Sequence, residues 1–137
     1  RYPSYFEQAI RKRGVSKDLG VEAHDRTSVE SQMVRYRFGP WDPRYRILLT
    51  LLAGNGRISL RTEGRTVLVV ITDRGSEIAS QISTTPEYKP IAYRSEELRR
   101  HLDLTATNLM EFIYETFPEI LTLEYNEPIG QVDTAEI

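Results

Sequence analysis

Apolar positions recur at helical spacing from the start of the chain. Phe6, Ala9 and Ile10 fall at i, i+3 and i+4 of the stretch 3–13, with Pro3 suited to a first turn and Gly14 to a stop, which predicts a helix. SKDLG, 16–20, is compatible with one further helical turn. Thr27 and Glu30 stand at capping-box spacing ahead of SVESQMVRY, where Val29, Met33 and Tyr36 share a helical face. Gly39, Pro40 and Pro43 in GPWDP cannot all sit inside one helix and end it. Asp42 then suits an N-cap, with Pro43 at the first helical position, and RYRILLTLLA runs to a stop at Gly54-Asn55-Gly56. Tyr45, Leu48, Leu49 and Leu52 make one stripe, while Ile47 and Leu51 widen the apolar face beyond what a one-sided surface helix requires.

The period then changes to two. RISLRT and TVLVVI read as strands rich in β-branched residues, joined at Glu63-Gly64, where glycine supplies positive φ. The second strand is apolar on both sides, with Val67, Val69 and Ile71 on one and Leu68 and Val70 on the other, so its outer side needs cover. Thr72 caps a helix carrying Ile78, Ala79 and Ile82, and STTPEYKP at about 83–90 reads as a linker. That divides the chain into a domain over 1–83 and a helical extension over 84–137, packed on it or on a partner. Ser95 opens EELRRHLD. Thr105 opens ATNLMEFIYETF, halted by Pro118, with Leu109, Phe112, Ile113 and Phe117 as its apolar stripe. The tail alternates at Leu121, Leu123 and Tyr125 and then turns polar, as an added strand or an irregular end.

Charge alters this picture more than overall composition does. The net charge of -2 conceals seven arginines against two carboxylates over 35–65, a net of +5, and eight carboxylates with no Lys or Arg over 101–137. Two interaction surfaces are the expectation, with mutual neutralisation inside one fold as the alternative. No run approaches the ~18 apolar residues of a membrane span. The absence of cysteine excludes disulfides, and with no apolar leader after Arg1 it sets the expectation of a cytoplasmic protein whose natural chain starts earlier. His24 and His101 sit beside acids without metal-ligand spacing, and no nucleophile elbow, phosphate loop or dinucleotide fingerprint occurs. Neither an enzyme nor a cofactor or metal is expected.

LLTLLAGNGRISL, the turn RTEGRT and VVITDRGSEIASQI together resemble the winged-helix superfamily, above all its PadR- and MarR-type groups. There, leucines, a glycine, a short apolar residue, a variable wing and Leu-Thr-x-x-Gly follow in this order. Ile71 stands here where leucine is usual, and Ile58 fills the apolar slot after Gly56. The resemblance implies an α+β fold, a winged helix-turn-helix with an added C-terminal helical segment. It implies that Arg44 and Arg46 approach a duplex groove and Arg61 and Arg65 its phosphates, with Arg35 and Arg37 alongside, next to Tyr36, Phe38 and Trp41. The alternative for these arginines is pairing with the acidic C-terminal segment. Trp41 between two prolines reads as a packing plug, or else as an exposed anchor for a partner. DNA readers of this superfamily expose polar residues along the helix before the wing, where this chain has Ile47 and Leu51.

The whole chain, YRFGPWDPRYR and FIYETFPEI included, also looks like accessory subunits of bacterial SMC-like or ABC-type ATPase systems, some of them antiphage. That resemblance implies a protein partner or a homodimer, met through Leu68, Val70, Leu109, Phe112, Ile113 and Phe117.

Overall fold

A computed structural model of the chain describes residues 2–26 and 32–130. The capping-box pair Thr27 and Glu30 lies outside the described residues. The fold is α+β, with α1 (Pro3–Lys12), α2 (Ala23–Arg26), β1 (Val34–Tyr36), β2 (Gly39–Trp41), α3 (Tyr45–Gly54), β3 (Ile58–Glu63), β4 (Thr66–Ile71), α4 (Asp73–Ser83), α5 (Lys89–Leu102) and α6 (Ala106–Thr116). A 3-10 turn, Pro118–Thr122, follows. These elements form two compact units, 43–92 and the discontinuous remainder of 1–42 with 93–137. Residue 83, where the linker reading puts a boundary, is the last residue of α4, inside the first of these units. Among the described residues no helix is long and apolar enough to cross a membrane.

The discontinuous unit has an apolar centre of Ala9, Phe117, Ile120 and Ile129, packed round by Tyr5, Met33, Leu102, Phe112, Ile113, Tyr114 and Leu123. Ile10 and Leu19 are also fully buried. Proline at the first position and extended backbone at Tyr2 start α1. Its inner face brings the Tyr5 ring edge-on to Phe117, centroids 4.6 Å apart. Burial, reinforced by the Glu119 carboxylate, pushes the Tyr5 hydroxyl up to about 12.

The helix expected over SVESQMVRY is replaced, where it is described, by an antiparallel hairpin. Val34 pairs with Trp41, Arg35 with Pro40 and Tyr36 with Gly39. Gly39 takes φ 121°, open to glycine, and the Tyr36 and Trp41 rings lie 6.1 Å apart, so Trp41 packs on the hairpin. The other edge of β1 is also used. The Arg35 amide donates to the Glu127 carbonyl at 2.9 Å, and the Arg35 carbonyl accepts the Asn126 amide at 2.8 Å. Val34 makes an isolated bridge to Pro128, so the tail meets β1 at 126–129 and not at the alternating 121–125, whose first two residues end the 3-10 turn.

The run 16–20 forms no helical turn; polar contacts from α5 hold it instead. Tyr93 donates its hydroxyl to the Asp18 carbonyl, and Arg94 donates to the Gly20 carbonyl and to Asp25 at 2.7 Å. Lys17 reaches the buried Glu97 at 2.9 Å, with Arg100 at 3.3 Å and His101 at 3.5 Å from the same carboxylate. The hydrogen bond from Lys17 holds the Glu97 carboxyl below its ordinary value despite burial. Burial alone would raise Asp25, but the Glu22 amide and the Arg94 guanidinium outweigh it and lower its pKa. Because α5 starts at Lys89, the expected cap Ser95 lies in mid-helix, and the expected linker is only a turn ahead of it.

In α6 the reading holds at its start, where Thr105 Oγ1 accepts the Asn108 amide. Its stripe folds inward. Phe117, read as a partner-facing residue, is a buried member of the core, and Phe112 and Ile113 pack against it. Phe117→Ala should therefore destabilise the protein by about 3–5 kcal/mol, as truncation of a buried aromatic does. Chemical denaturation of the two proteins checks this; a loss under about 1 kcal/mol would return Phe117 to the surface.

Candidate nucleic-acid and partner interface

The unit 43–92 runs helix, hairpin, helix, and its local order has identifiable causes. Arg44 stands at the N-cap position of α3 without a side-chain cap, so the helix starts later than Asp42 would have started it. Asp42 itself is buried. Asn55 closes α3 by donating its side-chain amide to the Leu51 carbonyl at 2.7 Å, and Gly56 leaves with φ 68°. The β3–β4 ladder runs from Ile58 opposite Ile71 to Glu63 opposite Thr66, and Gly64, φ 60°, opens the two-residue turn.

Thr72 fastens the far end. Its hydroxyl donates to the Gly56 carbonyl at 2.7 Å and accepts the Gly75 amide at 3.0 Å, and its own amide donates to the Arg57 carbonyl at 3.1 Å. Gly75 is the one glycine whose place is fixed by crowding among those described: a Cβ there would sit 1.9 Å from the Arg57 carbonyl oxygen. The Thr-x-x-Gly signature thus has a physical meaning. The threonine ties the start of α4 to the end of α3, and the glycine lets the two backbones touch.

The six arginines selected from sequence divide between the two units. Arg35 belongs to the discontinuous unit and is half-buried, its guanidinium donating to the Leu123 carbonyl and lying 5.0 Å over the Tyr125 ring. Its role is to brace the closing segment. Arg37 is exposed at the β1–β2 turn, 6.0 Å over Phe38. Arg44, Arg46, Arg61 and Arg65 are all exposed in the unit 43–92, just before α3, on α3, on β3 and at the turn respectively. Among the described residues Arg46, Arg61 and Arg65 form no ion pair.

The selected apolar residues divide likewise. Leu109 is half-buried on α6 and Phe112 lies beneath the Arg13 guanidinium at 5.8 Å, both in the discontinuous unit with Ile113 and Phe117. Leu68 is half-buried and Val70 exposed on β4. The exposed aliphatic surface extends beyond the residues selected from sequence as partner-binding. Ile47 and Leu51 on α3 are 64% and 56% exposed, and Leu48, Leu60, Val67, Val69 and Ile71 are exposed with them. The signal is the apolar excess on both sides of one strand, of which the sequence reading assigns Leu68 and Val70 to a partner and not the opposite row Val67, Val69 and Ile71.

His24 lies exposed 3.3 Å from Glu22, and His101 lies beside Glu97. No three potential metal ligands converge among the described residues. Neither a known family model, nor a curated protein, nor a solved structure matches the chain.

Gly75→Ala should disrupt the unit 43–92 by forcing α4 away from Arg57, because a rigid carbonyl and not a flexible side chain occupies the space. Amide exchange over 56–75 should accelerate while that over 2–13 and 106–130 stays unchanged. A variant with parental exchange throughout would mean that the contact is dispensable.

Proposed function

We propose that residues 43–92 are a winged-helix module that contacts duplex DNA, with α3 as the helix entering a groove and the β3–β4 hairpin as the wing. The carrying observation is that, among the described residues, Arg46, Arg61 and Arg65 are exposed and form no ion pair. The other unit spends its cations differently: Arg11 and Arg26 meet Glu7, Lys17 meets Glu97, and Arg94 meets Asp25. Exposed arginines without acids are available to phosphates, which release counterions when neutralised. Such contacts position a protein without reading sequence, and the outward Ile47 and Leu51 offer no donors to base edges, so sequence preference is low.

A second reading, a winged-helix accessory subunit that binds protein within an SMC-like or ABC-type ATPase assembly, is favoured by the exposed aliphatic surface of α3 and β4. The two readings are compatible.

Fluorescence anisotropy on a random-sequence duplex at two salt concentrations tests the first. Affinity should fall steeply with salt, and Arg46→Ala with Arg61→Ala should flatten the log–log slope by about 0.9 per arginine. Stability should stay within about 0.5 kcal/mol of the parent, as for exposed sites. Salt-indifferent binding, or a double variant that binds like the parent, would contradict the proposal.

A further inference from the structure

We infer that β4 is a homodimer interface, in which the strands of two copies pair antiparallel about a two-fold axis through Val69. The inference rests on the second reading above and names its partner: another copy of this chain. β3 and β4 form a two-stranded sheet, so each keeps an unpaired outer edge among the described residues. Charges, prolines, bulges or covering elements normally guard such an edge. On β3, Arg61 and Glu63 supply the charge. β4, TVLVVI, holds no charge, proline or glycine, and every residue but Leu68 is exposed. The outward row Val67, Val69 and Ile71 lies beside Ile58 and Leu60, through the pairs Ile58–Ile71 and Leu60–Val69. That side is a continuous aliphatic surface with Val69, 50% exposed, at its middle.

The register identifies a second copy as the occupant. Directly opposed residues of antiparallel strands point to the same side, so a two-fold axis normal to the sheet passes through a residue, not between two. With the axis at Val69, Val67 faces Ile71 of the second copy and Leu68 faces its Val70. Just beyond the ladder, Arg65 then stands opposite Asp73 of the second copy, and the symmetry repeats this at the other end. An axis at Leu68 would set Arg65 against Ile71, and one at Val70 would set Asp73 against Val67. The chain therefore carries both halves of a self-complementary contact at the two ends of one uncharged strand. Arg65 keeps spare donors for a phosphate, since a guanidinium has five N–H groups.

The absence of native cysteine makes the arrangement testable on the full chain. Val69→Cys should oxidise to a covalent dimer as its main product. Leu60→Cys should stay monomeric, because the outer strands would stand about three strand spacings, ~14 Å, apart. Light scattering should find the parent dimeric and Val69→Lys monomeric, with an unchanged far-UV circular dichroism spectrum that excludes unfolding. Arg65→Asp should weaken the dimer and Arg65→Asp with Asp73→Arg should restore it. A parent that stays monomeric, a dimer indifferent to Val69→Lys, or equal cross-linking at positions 60 and 69 would overturn the proposal. Neither Arg46 nor Arg61 takes part in the pairing, so a monomeric parent that binds DNA would separate this failure from failure of the DNA reading.

Discussion

The discontinuous unit depends on the segment 126–129 being laid along β1. Three backbone hydrogen bonds, from Arg35 to Glu127, Asn126 to Arg35 and Ile129 to Met33, join chain positions more than ninety residues apart in sequence. Side chains lock the same seam. The Tyr2 hydroxyl donates to the Ile129 carbonyl at 3.0 Å and accepts the Met33 amide at 2.7 Å, while Arg35 binds the Leu123 carbonyl and stacks on Tyr125. Ile129 is buried by this closure and completes the cluster with Ala9, Phe117 and Ile120. Without the seam, α1 and α6 would lose a wall of the core they share, which is why an acidic and locally nondescript tail matters to stability.

From this follows a division of physical labour. In the discontinuous unit cations meet carboxylates, and large apolar side chains such as Phe117 and Ile120 are buried. In the unit 43–92, Arg46, Arg61 and Arg65 form no ion pair among the described residues, and aliphatic side chains remain in solvent. Exposed aliphatic surface and unpaired positive charge are each unfavourable to leave unused in a lone soluble domain, and together they mark the surface on which function is sought. The Thr72–Gly75 junction holds α3, the hairpin and α4 together, so the arginines are presented from ordered elements although few of the side chains are buried.

Much of the local structure was legible in the sequence. The extent of α1, the β3–β4 hairpin with its Gly64 turn, and the Thr72 and Thr105 caps all follow from short-range chemistry. The failures have one cause. β1 and β2 are three residues each, too short for periodicity to show, and β1 is sustained by Glu127 and Asn126, far away in sequence. Ser95 seemed to open a helix because nothing local announces that α5, starting at Lys89, is held on one side by Tyr93, Arg94 and Glu97 through polar contacts. The candidate site was half legible. Arg46, Arg61 and Arg65 are exposed and form no ion pair among the described residues, whereas Arg35 carries the same charge and serves the fold. Phe117 and Val69 were equally apolar in the sequence, and only tertiary contact separates the buried one from the exposed one.

The central claim is that one unit is scaffold and the other is working surface. Amide hydrogen exchange on the full chain, with and without a saturating random duplex, tests it most directly. Protection gained on adding DNA should fall within 44–50 and 57–66, while 2–13 and 106–130 should not change. Protection gained chiefly over 106–130, or spread evenly along the chain, would contradict the account.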